Sequence, residues 1–528
     1  MSEIIDKDWW KRAVFYQIYP RSFQDTTGNG IGDLPGITQR LPYLADLGID
    51  ALWISPFFQS PMADYGYDVS DYRTVDPLFG NNEDFDILLN KAHALGLKII
   101  VDMVLSHTSI EHDWFKESRS SKDNNKADWY VWADPKADGS PPNNWLSVFD
   151  GPAWSFDTKR GQYYLHNFLK EQPDLNFHNP EVQEQMLSEC EYWLKKGVDG
   201  FRLDTANFYT HDQKLRDNPP RVESETITNG TQFEKPHPYN MQRHLYDKSQ
   251  AENLVFLEKL RSLMDCYPHA MTLGEIGDDD PYKLGVEYTE NQKYLDTTYN
   301  THFMAGTDSI NIAADKIITP ITLLQELSLD VWPSWAFSNH DVVRPLTRWG
   351  KDIKDTESFS KLLIQILLSL RGTAFLYQGD ELGLSEAVIS YDEIQDPWGR
   401  SLWPEWQGRD GCRTPMPWNS EKPHAGFSDA EDTWLPIPED HQKRAITHQL
   451  DDENSVLNFT KNFLKWRKTK SALQLGNMNF IDTGDEKVLA YSRSYEGKKI
   501  DCIFNLSEET KRYNDLELKP LQALFLEE

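Results

Sequence analysis

Short apolar segments alternate with longer amphipathic segments along most of the chain. The short segments are rich in β-branched and aromatic residues, are bounded by turn residues, and indicate strands. Seven of them lie at residues 14–20, 51–56, 98–104, 200–204, 272–275, 334–341 and 373–381, and a weaker eighth candidate covers residues 299–304. The segments between them have helical periodicity, as at 37–47, 82–95, 181–196 and 358–371, and several end at a glycine suited to a left-handed C-cap.

Regular alternation of strands and helices predicts a parallel sheet. Eight strands are the number that closes a (β/α)8 barrel, and the charged residues cluster at the C-terminal ends of the strands, where such barrels hold their active sites. The alternative is an open doubly wound sheet, which would need a glycine-rich phosphate loop after a strand, and the sequence contains none. We therefore predict the α/β class and a (β/α)8 TIM barrel.

Two connections are too long to be simple loops. Residues 107–179 follow the third strand, are rich in Trp, Asn, Asp and Pro, and are assigned to an inserted lobe. Residues 379–439 follow the eighth strand and are assigned to a loop subdomain of the barrel, which itself takes residues 1–106 and 180–450. One helix and several short strands at 451–528 predict a C-terminal antiparallel β domain.

Charge limits the classes of partner. The chain has 54 Lys and Arg against 84 Asp and Glu, a formal net charge of −30 over 528 residues. Such a chain repels phosphates, so we expect no binding to nucleic acid or to anionic membranes. The acid excess fits either a strongly hydrated surface or adaptation to salt.

Cysteine usage and the N-terminus indicate the compartment. The four cysteines are far apart, without metal-ligand spacing, so neither a zinc site nor a disulfide framework is predicted. The N-terminus lacks the apolar core of a signal peptide, and the longest apolar stretch is far shorter than the roughly 20 residues of a membrane span. We expect a cytoplasmic protein.

Acidic side chains follow several of the predicted strands. Asp204 follows the fourth strand, Glu275 ends the fifth and Asp341 follows the seventh. Any one of them could be an ordinary ion pair or helix cap. Three carboxylates at the same end of a barrel instead predict an active site.

The sequence around these residues resembles glycoside hydrolase family 13, the α-amylase family, in the order and spacing of its four signature regions, and the resemblance covers nearly the whole chain. The most similar subgroup is that of the α-glucosidases and oligo-1,6-glucosidases. The segments that carry this likeness are WWKRAVFYQIYPRSFQDTTGNGIGDLPGI at 9–37, ADYGYDVSDY at 63–72, QPDLN at 172–176 and RDGCRTPMPW at 409–418.

The resemblance implies that Asp204 is the nucleophile, Glu275 the general acid/base and Asp341 a third carboxylate that binds sugar hydroxyls. In a retaining glycosidase, one carboxylate forms a covalent glycosyl-enzyme and the other protonates the leaving oxygen and then activates water. The two groups therefore need different pKa values. We expect Arg202 to keep Asp204 ionised, and burial with an acidic neighbour to keep Glu275 protonated.

The resemblance also implies a set of residues that hold the non-reducing glucose. They are Asp64, Tyr67, His107, His340 and Arg409. Arg202 and Thr205 are assigned to the substrate-binding set as well, and Thr205 borders the scissile bond. Arg413 is an alternative to Arg409. Asp102 is expected to order the site from beneath, and Asn339 to position its neighbours.

A metal loop is predicted near the N-terminus. Asp25, Thr27, Asn29, Ile31 and Asp33 occupy positions 1, 3, 5, 7 and 9 of a calcium-type loop. Related glucosidases hold Ca²⁺ or Mg²⁺ here. Thr27 is a weaker ligand than an acid or amide and no closing bidentate Glu follows, so we expect a weak structural site; the alternative is a plain Asn-Gly turn. The chemistry needs no cofactor.

The expected activity is that of a retaining, exo-acting α-glucosidase that removes terminal α-1,4-linked glucose from maltose, short maltooligosaccharides and sucrose, with transglucosylation as a side activity. In related enzymes Thr or Ala after the nucleophile accompanies α-1,4 preference and Val accompanies α-1,6, so Thr205 indicates α-1,4. QPDLN taken alone indicates an oligo-1,6-glucosidase (isomaltase), and sucrose isomerase or trehalose synthase are further alternatives. A non-enzymatic transporter scaffold is disfavoured, since all three carboxylates are present. We expect a monomer or homodimer whose partners are small α-glucosides.

Overall fold

Eight parallel strands form a closed barrel in the computed structural model, which describes residues 6–222, 237–304 and 309–528. Each strand is hydrogen-bonded to the strands before and after it in the barrel sequence, and the last closes on the first. In chain order the barrel strands are β1 Val14–Ile18, β2 Ala51–Ile54, β3 Lys98–Met103, β4 Gly200–Leu203, β5 Met271–Glu275, β6 Thr297–Asn300, β7 Ser334–Ala336 and β8 Thr373–Tyr377. The predicted (β/α)8 barrel is confirmed, and the open doubly wound sheet is excluded.

The sixth strand lies earlier than the sequence predicts. It spans Thr297–Asn300, where its register with β5 pairs Thr297 with Leu273. The end of the predicted segment, His302–Met304, is a single 3₁₀ turn. Phe303 and Met304 are buried in that turn. Their apolar side chains therefore indicated burial correctly, but the backbone is a turn and not the predicted strand.

Helices follow the barrel strands close to their predicted positions. The principal ones span Leu34–Leu47, Asn82–Ala94, Pro180–Lys196, Asn253–Met264, Pro281–Thr289, Ala314–Leu327, Thr356–Ser369 and Val456–Arg467. Leu34–Leu47 begins three residues before the predicted start because Asp33 caps it, accepting a hydrogen bond from the Gly36 N–H at 2.6 Å. It ends at Gly48, whose φ of 100° satisfies the left-handed C-cap.

The two predicted insertions have different structures. The segment 107–179 contains a helix, Asp113–Ser118, and a three-stranded antiparallel sheet of Trp132–Ala133, Trp154–Asp157 and Gln162–Leu165. The described segment 379–439 has short helices or 3₁₀ turns and no strand; they are Asp380–Leu382, Pro397–Ser401, Asp410–Cys412 and Pro423–Gly426.

The C-terminal β structure is confirmed. Four antiparallel strands form one sheet, in the order Asn477–Phe480, Val488–Tyr495, Lys498–Asn505 and Ala523–Glu527. Lys511–Tyr513 and Leu516–Leu518 form a separate hairpin. Among the described residues, no helix combines the length and apolarity that crossing a membrane requires.

Residue contacts divide the described chain into two compact units. The first unit takes the residues up to Ile54, Ile87–Ile99 and the described part of Asn300–Glu528. The second unit takes Ser55–Asp86 and the described part of Ile100–Tyr299. The predicted boundaries of barrel, lobe and C-terminal domain stay a prediction, and the middle of the polar 211–250 segment, residues 223–236, lies outside the described residues.

Candidate active site

Arg202 in the second unit joins three carboxylates. It lies on β4 directly opposite Asp102 on β3, and its Nη1 is 2.8 Å from Asp102 Oδ1 and 2.5 Å from Asp204 Oδ1. Its Nη2 is 2.6 Å from Glu275 Oε2, at the end of β5. Burial disfavours the charged guanidinium, but its carboxylate neighbours, Asp102 and Glu275 foremost, raise the pKa of Arg202 well above the usual value. Arg202 is therefore a permanent cation to which both candidate catalytic carboxylates are bonded.

The contact between Arg202 and Glu275 goes beyond the sequence prediction, which paired Arg202 with Asp204 only. Strand register explains it, because β4 lies between β3 and β5 in the barrel and its inward side chains reach both neighbours. The outer face of Glu275 is less enclosed: its side chain is 19% exposed, against 8% for Asp204. Glu275 is thus the more accessible carboxylate of the pair.

Thr205 turns the chain sharply after Asp204. Its φ of 41° lies in the left-handed region, which is strained for a β-branched residue. The Thr205 N–H donates to Glu275 Oε2 at 3.2 Å, and the Ala206 N–H donates to the Glu275 carbonyl at 2.8 Å. The hydroxyl of Thr205 lies 3.0 Å from Ser106 Oγ and 3.3 Å from Asp204 Oδ2. Thr205 therefore contacts both candidate catalytic carboxylates.

His107 is held as a neutral ring beside Tyr67. Its Nε2 donates to the Tyr67 carbonyl at 3.0 Å, and its Nδ1 accepts from the Ser106 hydroxyl at 2.8 Å. Burial lowers the pKa of His107 to about 4. The Tyr67 hydroxyl in turn donates to Asp102 Oδ2 at 3.1 Å. These contacts connect His107 and Tyr67 to the carboxylate that Arg202 also binds.

Gln172 is a contact residue that the sequence analysis did not assign. Its Nε2 donates to Asp64 Oδ2 and to the Tyr67 carbonyl, each at 3.3 Å. Its backbone lies within the QPDLN string, which served only as a subgroup marker. Its place as a polar residue inside that string was the available sequence signal, and the structure adds that it is buried.

Asp341 in the first unit is surrounded by cationic and imidazole groups. Arg413 Nη2 lies 2.6 Å from Asp341 Oδ1, and Arg409 Nη1 lies 3.4 Å from the same oxygen. His340 Nε2 is 3.2 Å from Asp341 Oδ2, and Asn339 accepts the Asp341 N–H at 2.8 Å. The structure thus brings both candidate arginines to Asp341, with Arg413 at the shorter distance.

Arg409 is anchored from behind by Asp396, another residue that the sequence analysis missed. The guanidinium donates to both Asp396 oxygens, at 2.8 and 3.1 Å, and the Arg409 N–H donates to Oδ2 at 2.8 Å. Burial alone would raise the pKa of Asp396, but the charge and hydrogen bonds of Arg409, together with the charge of Arg413, lower it. Nothing in the sequence around Asp396 marks it as a partner of Arg409 at a separation of 13 residues.

The ring of His340 is fixed by three groups of the first unit. Gln17 Nε2 lies 2.7 Å from its Nδ1, and the Tyr19 ring stacks on it at 5.6 Å between centroids. Trp53 meets it edge-on at 6.2 Å. Because these residues lie on or just after β1 and β2, the first strands orient a side chain that follows β7.

The predicted metal loop has the backbone of a calcium-type loop but a weak set of ligands. Asp25 accepts N–H groups of Thr27, Gly28 and Gly30 at 2.8 to 2.9 Å, and Gly30, at the sixth loop position, has a φ of 82°. Burial opposes ionisation of Asp25, but the hydroxyl of Ser428 and these N–H groups lower its pKa. Asp33 is occupied as a helix cap, and burial raises its pKa.

Only two carboxylates are available in that loop. In the described part of the chain, no cluster of three or more His, Cys, Asp or Glu side chains is placed to bind a metal. A cation held by Asp25, Thr27, Asn29, Asp33 and the Ile31 carbonyl would therefore depend on neutral oxygens for most of its ligands, as the sequence predicts for a weak site.

Comparisons with known proteins agree with this geometry. The sequence matches the family described as "Alpha amylase, catalytic domain" over residues 17–476. A probable alpha-glucosidase of Rhizobium meliloti is 51% identical over 521 residues, which cover 98% of this chain and 93% of that protein. An oligo-1,6-glucosidase of Heyndrickxia coagulans is 37% identical over 538 residues, covering 96% and 94%. The crystal structure of an alpha-glucosyl transfer enzyme, XgtA, has a TM-score of 0.91 and 52% identity, covering 95% of this chain and 92% of that one.

A closed parallel barrel with acidic groups at the ends of its strands defines an α/β-barrel enzyme, and the matched sequence makes that enzyme a glycoside hydrolase. The chain belongs to the α-amylase family, glycoside hydrolase family 13, and has strong homology to its α-glucosidases and oligo-1,6-glucosidases.

Proposed function

We propose that this protein is a retaining, exo-acting α-glucosidase that releases terminal α-1,4-linked glucose from maltose, short maltooligosaccharides and sucrose. The observation that carries the proposal is the bonding of Asp204 and Glu275 to the two terminal nitrogens of one guanidinium, that of Arg202. Two carboxyl groups so held are close neighbours, which supports a retaining mechanism, whose pair lies about 5 to 5.5 Å apart. An inverting enzyme needs roughly 6.5 to 9.5 Å to admit a water between them.

In the proposed reaction Asp204 attacks the anomeric carbon and Glu275 protonates the departing oxygen. Asp204 is the more enclosed carboxylate and is bonded to Arg202 at 2.5 Å, which favours its anionic form. Glu275 is also bonded to Arg202, at 2.6 Å, and accepts the Thr205 N–H, and both contacts favour its anion and not the protonated form expected from the sequence. Its role as the acid is proposed from its position at the end of β5 and its greater exposure. Asp341, with Arg409 and His340, is proposed to bind sugar hydroxyls, as the family pattern implies.

Thr205 supports α-1,4 preference. Its hydroxyl contacts Ser106 and Asp204. The side chain therefore lies against the proposed nucleophile, where it would border the scissile linkage of a bound substrate. An apolar group of the same branched shape without that hydroxyl would lose both contacts and change the surface offered to the leaving sugar. We further propose that the protein is cytoplasmic and acts as a monomer or homodimer.

Transfer of glucose to a second sugar is the second candidate activity. The similar solved enzyme is described as an alpha-glucosyl transfer enzyme, and it covers nearly the whole chain. Retaining chemistry permits both outcomes, because water and a sugar hydroxyl can each attack the glucosyl-enzyme. The ratio of transfer to hydrolysis is therefore expected to rise with acceptor concentration.

An NMR time course with maltose, isomaltose and sucrose, each at the same concentration, tests the proposal. We expect maltose to react fastest and α-glucose to appear before mutarotation produces the β anomer. β-Glucose appearing first would overturn the retaining mechanism. Preference for isomaltose, or conversion of sucrose into an isomer without net hydrolysis, would replace the α-1,4-glucosidase with an isomaltase or a sucrose isomerase.

A further inference from the structure

A polar cavity of about 660 Å³ lies in the second unit, and none of its lining residues belongs to the candidate active site. It is bordered by the extended segment Asp71–Val75, the helix Asp113–Ser118 and residues of Pro180–Lys196. Its volume falls within the roughly 300 to 1,000 Å³ of small-molecule sites. The cavity therefore has room for a mono- or disaccharide.

His112 gives the cavity a buried hydrogen-bond donor. The side chain lines the cavity and is only 5% exposed. Its Nδ1 accepts the Trp114 N–H at 3.1 Å and so caps the helix, while its Nε2 has no hydrogen-bond partner among the described residues. Burial lowers the pKa of His112 to about 4, so the ring is neutral near pH 7. Because Nδ1 accepts, the proton lies on Nε2, and this N–H remains for a ligand.

Trp114 supplies an aromatic surface next to that donor. It is half-buried and stacks on Tyr72 with ring centroids 5.9 Å apart, and its ring centroid lies 4.1 Å from that of His112. Its indole N–H also has no hydrogen-bond partner in the described ranges. A rigid aromatic group with a free polar edge suits ligands that have one apolar and one polar side.

Fixed carboxylates provide the acceptors. Asp71 accepts the Arg73 N–H and the Thr74 hydroxyl, each at 2.8 Å, and Asp76 accepts the N–H groups of Ser60 and Leu78. Each oxygen in these pairs keeps a lone pair for a further donor. The carboxylates are therefore oriented by the backbone before any ligand arrives.

The charges around the cavity exclude anionic ligands. Five carboxylates line it, against the cations Arg73 and Lys116. Arg73 is already paired with Glu189 at 2.7 Å, and Lys116 lies 3.3 Å from Glu111. A purely cationic ligand could not use the His112 donor, which needs an acceptor. A neutral polyol satisfies both requirements, because each hydroxyl donates to a carboxylate and accepts from an N–H.

We propose that this cavity is a second, non-catalytic saccharide site, which binds a neutral glucoside through His112, Trp114 and the fixed carboxylates. It needs no turnover and is independent of the proposed reaction. Sugar bound there would contact the Trp114 ring through its C–H face, while its hydroxyls bridge Asp71 or Asp76 and the His112 Nε2–H.

Fluorine NMR of the full chain labelled with 5-fluorotryptophan tests the proposal. The probe is thiomaltose, whose sulfur linkage resists hydrolysis. A Trp114→Phe variant assigns the Trp114 signal, and Trp132, a half-buried tryptophan of the same unit that does not line the cavity, provides the control signal through Trp132→Phe. We expect thiomaltose to shift the Trp114 signal saturably and to leave the Trp132 signal in place.

The variant His112→Asn separates binding from folding, since Asn keeps an oxygen to cap the helix, but its shorter amide does not reach the position of the ring Nε2–H. We expect it to weaken the Trp114 shift at least tenfold while the other tryptophan signals stay dispersed. A Trp114 signal unmoved by thiomaltose, an equal shift in His112→Asn, or a shift with spermidine but not with thiomaltose would each overturn the saccharide site. Loss of α-glucosidase activity would not bear on it, because the readout is at Trp114.

Discussion

At the residue scale, the buried Arg202 is paired with three carboxylates at once. Its side chain is 1% exposed and is bonded to Asp102, Asp204 and Glu275, so its charge is fully compensated by groups that three different strands supply. Removing one partner of a buried ion pair leaves an uncompensated charge. Here Asp102 remains when either candidate catalytic carboxylate is neutralised, so variants at Asp204 and Glu275 keep the arginine paired.

Substitution of Asp204 and of Glu275 is expected to lower kcat with different dependence on the leaving group. Asp204→Asn should lower kcat by more than about 10³-fold for every substrate, because the nucleophile is lost. Glu275→Gln should lower kcat by about 10² to 10⁴-fold for maltose. It should lower kcat far less for 4-nitrophenyl α-glucoside, whose leaving group needs no proton. Steady-state kinetics with both substrates checks this. Asp265→Asn, at an exposed position, is the control, and unchanged circular dichroism establishes folding. Near-normal maltose turnover in either variant would refute the assignment.

The linkage preference is expected to depend on the Thr205 hydroxyl. Thr205→Val keeps the branched shape and removes the group that contacts Ser106 and Asp204, so the ratio of kcat/KM for isomaltose to that for maltose should rise several-fold, about 1 kcal/mol. Thr210→Val is a matched control from the same loop, because the buried Thr210 hydroxyl has no hydrogen-bond partner in the part of the chain described. An unchanged or lower ratio for Thr205→Val would contradict this role.

At the level of elements, Asp33 combines two tasks at the start of the helix Leu34–Leu47. It caps that helix and is also the ninth residue of the predicted metal loop. Asp33→Ala should lower the free energy of unfolding by about 1 kcal/mol through loss of the cap, while Asp33→Asn keeps most of it. If a cation binds, millimolar Ca²⁺ should raise Tm in the wild type and a chelator should reverse it, but neither should affect Asp33→Asn.

Differential scanning fluorimetry of the wild type, Asp33→Asn and Asp33→Ala measures both effects. A wild-type Tm that ignores both Ca²⁺ and chelator would leave the loop as a plain turn. In that case a lower Tm of Asp33→Ala would still measure the contribution of the helix cap to stability.

A second element effect concerns Glu381, in the turn after β8. Its Oε1 accepts the hydroxyls of Tyr16 on β1 and Tyr43 on the first long helix, each at 2.8 Å, and burial raises its pKa to about 7. Between about pH 4.5 and 7 the folded state holds this proton and the unfolded state does not, so stability falls as pH rises through that window. The loss is of the order of 3 kcal/mol.

Glu381→Gln should remove that part of the pH dependence. Urea denaturation at about pH 5 and about pH 8 is expected to give a smaller difference in the free energy of unfolding for Glu381→Gln than for the wild type. Glu258→Gln, at an exposed helix position, is the control. Parallel pH profiles for Glu381→Gln and the wild type would contradict the buried, protonated state.

For the whole molecule, the net charge of −30 determines the response to salt. The Debye length falls from about 10 Å at 0.1 M to about 3 Å at 1 M, so added salt screens the repulsion between surface carboxylates. We expect Tm to rise by several degrees from about 0.1 to 1 M NaCl, with activity retained. Glycine betaine at the same osmolality is the uncharged control. A steady fall of Tm and activity would reject salt adaptation and leave a merely hydrated surface.

The sequence by itself predicted the barrel, because seven clear strand segments and one weaker candidate alternate with amphipathic helical segments. It also indicated three candidate carboxylates, Asp204, Glu275 and Asp341, since they lie in short strings whose order follows the strands; their roles stay a prediction. The weakest strand was misplaced because the buried Phe303 and Met304 resemble a strand in sequence although they lie in a 3₁₀ turn.

Only the tertiary structure decided which groups these residues touch. The contact of Arg202 with Glu275, the anchoring of Arg409 by Asp396, the bonds from Gln172 to Asp64 and the polar cavity around His112 all join residues far apart in sequence or on different elements. Periodicity in the sequence indicates which residues are buried. A hydrogen bond between two side chains also depends on how their elements are aligned and on the direction in which each side chain points. That information exists only once the chain is folded.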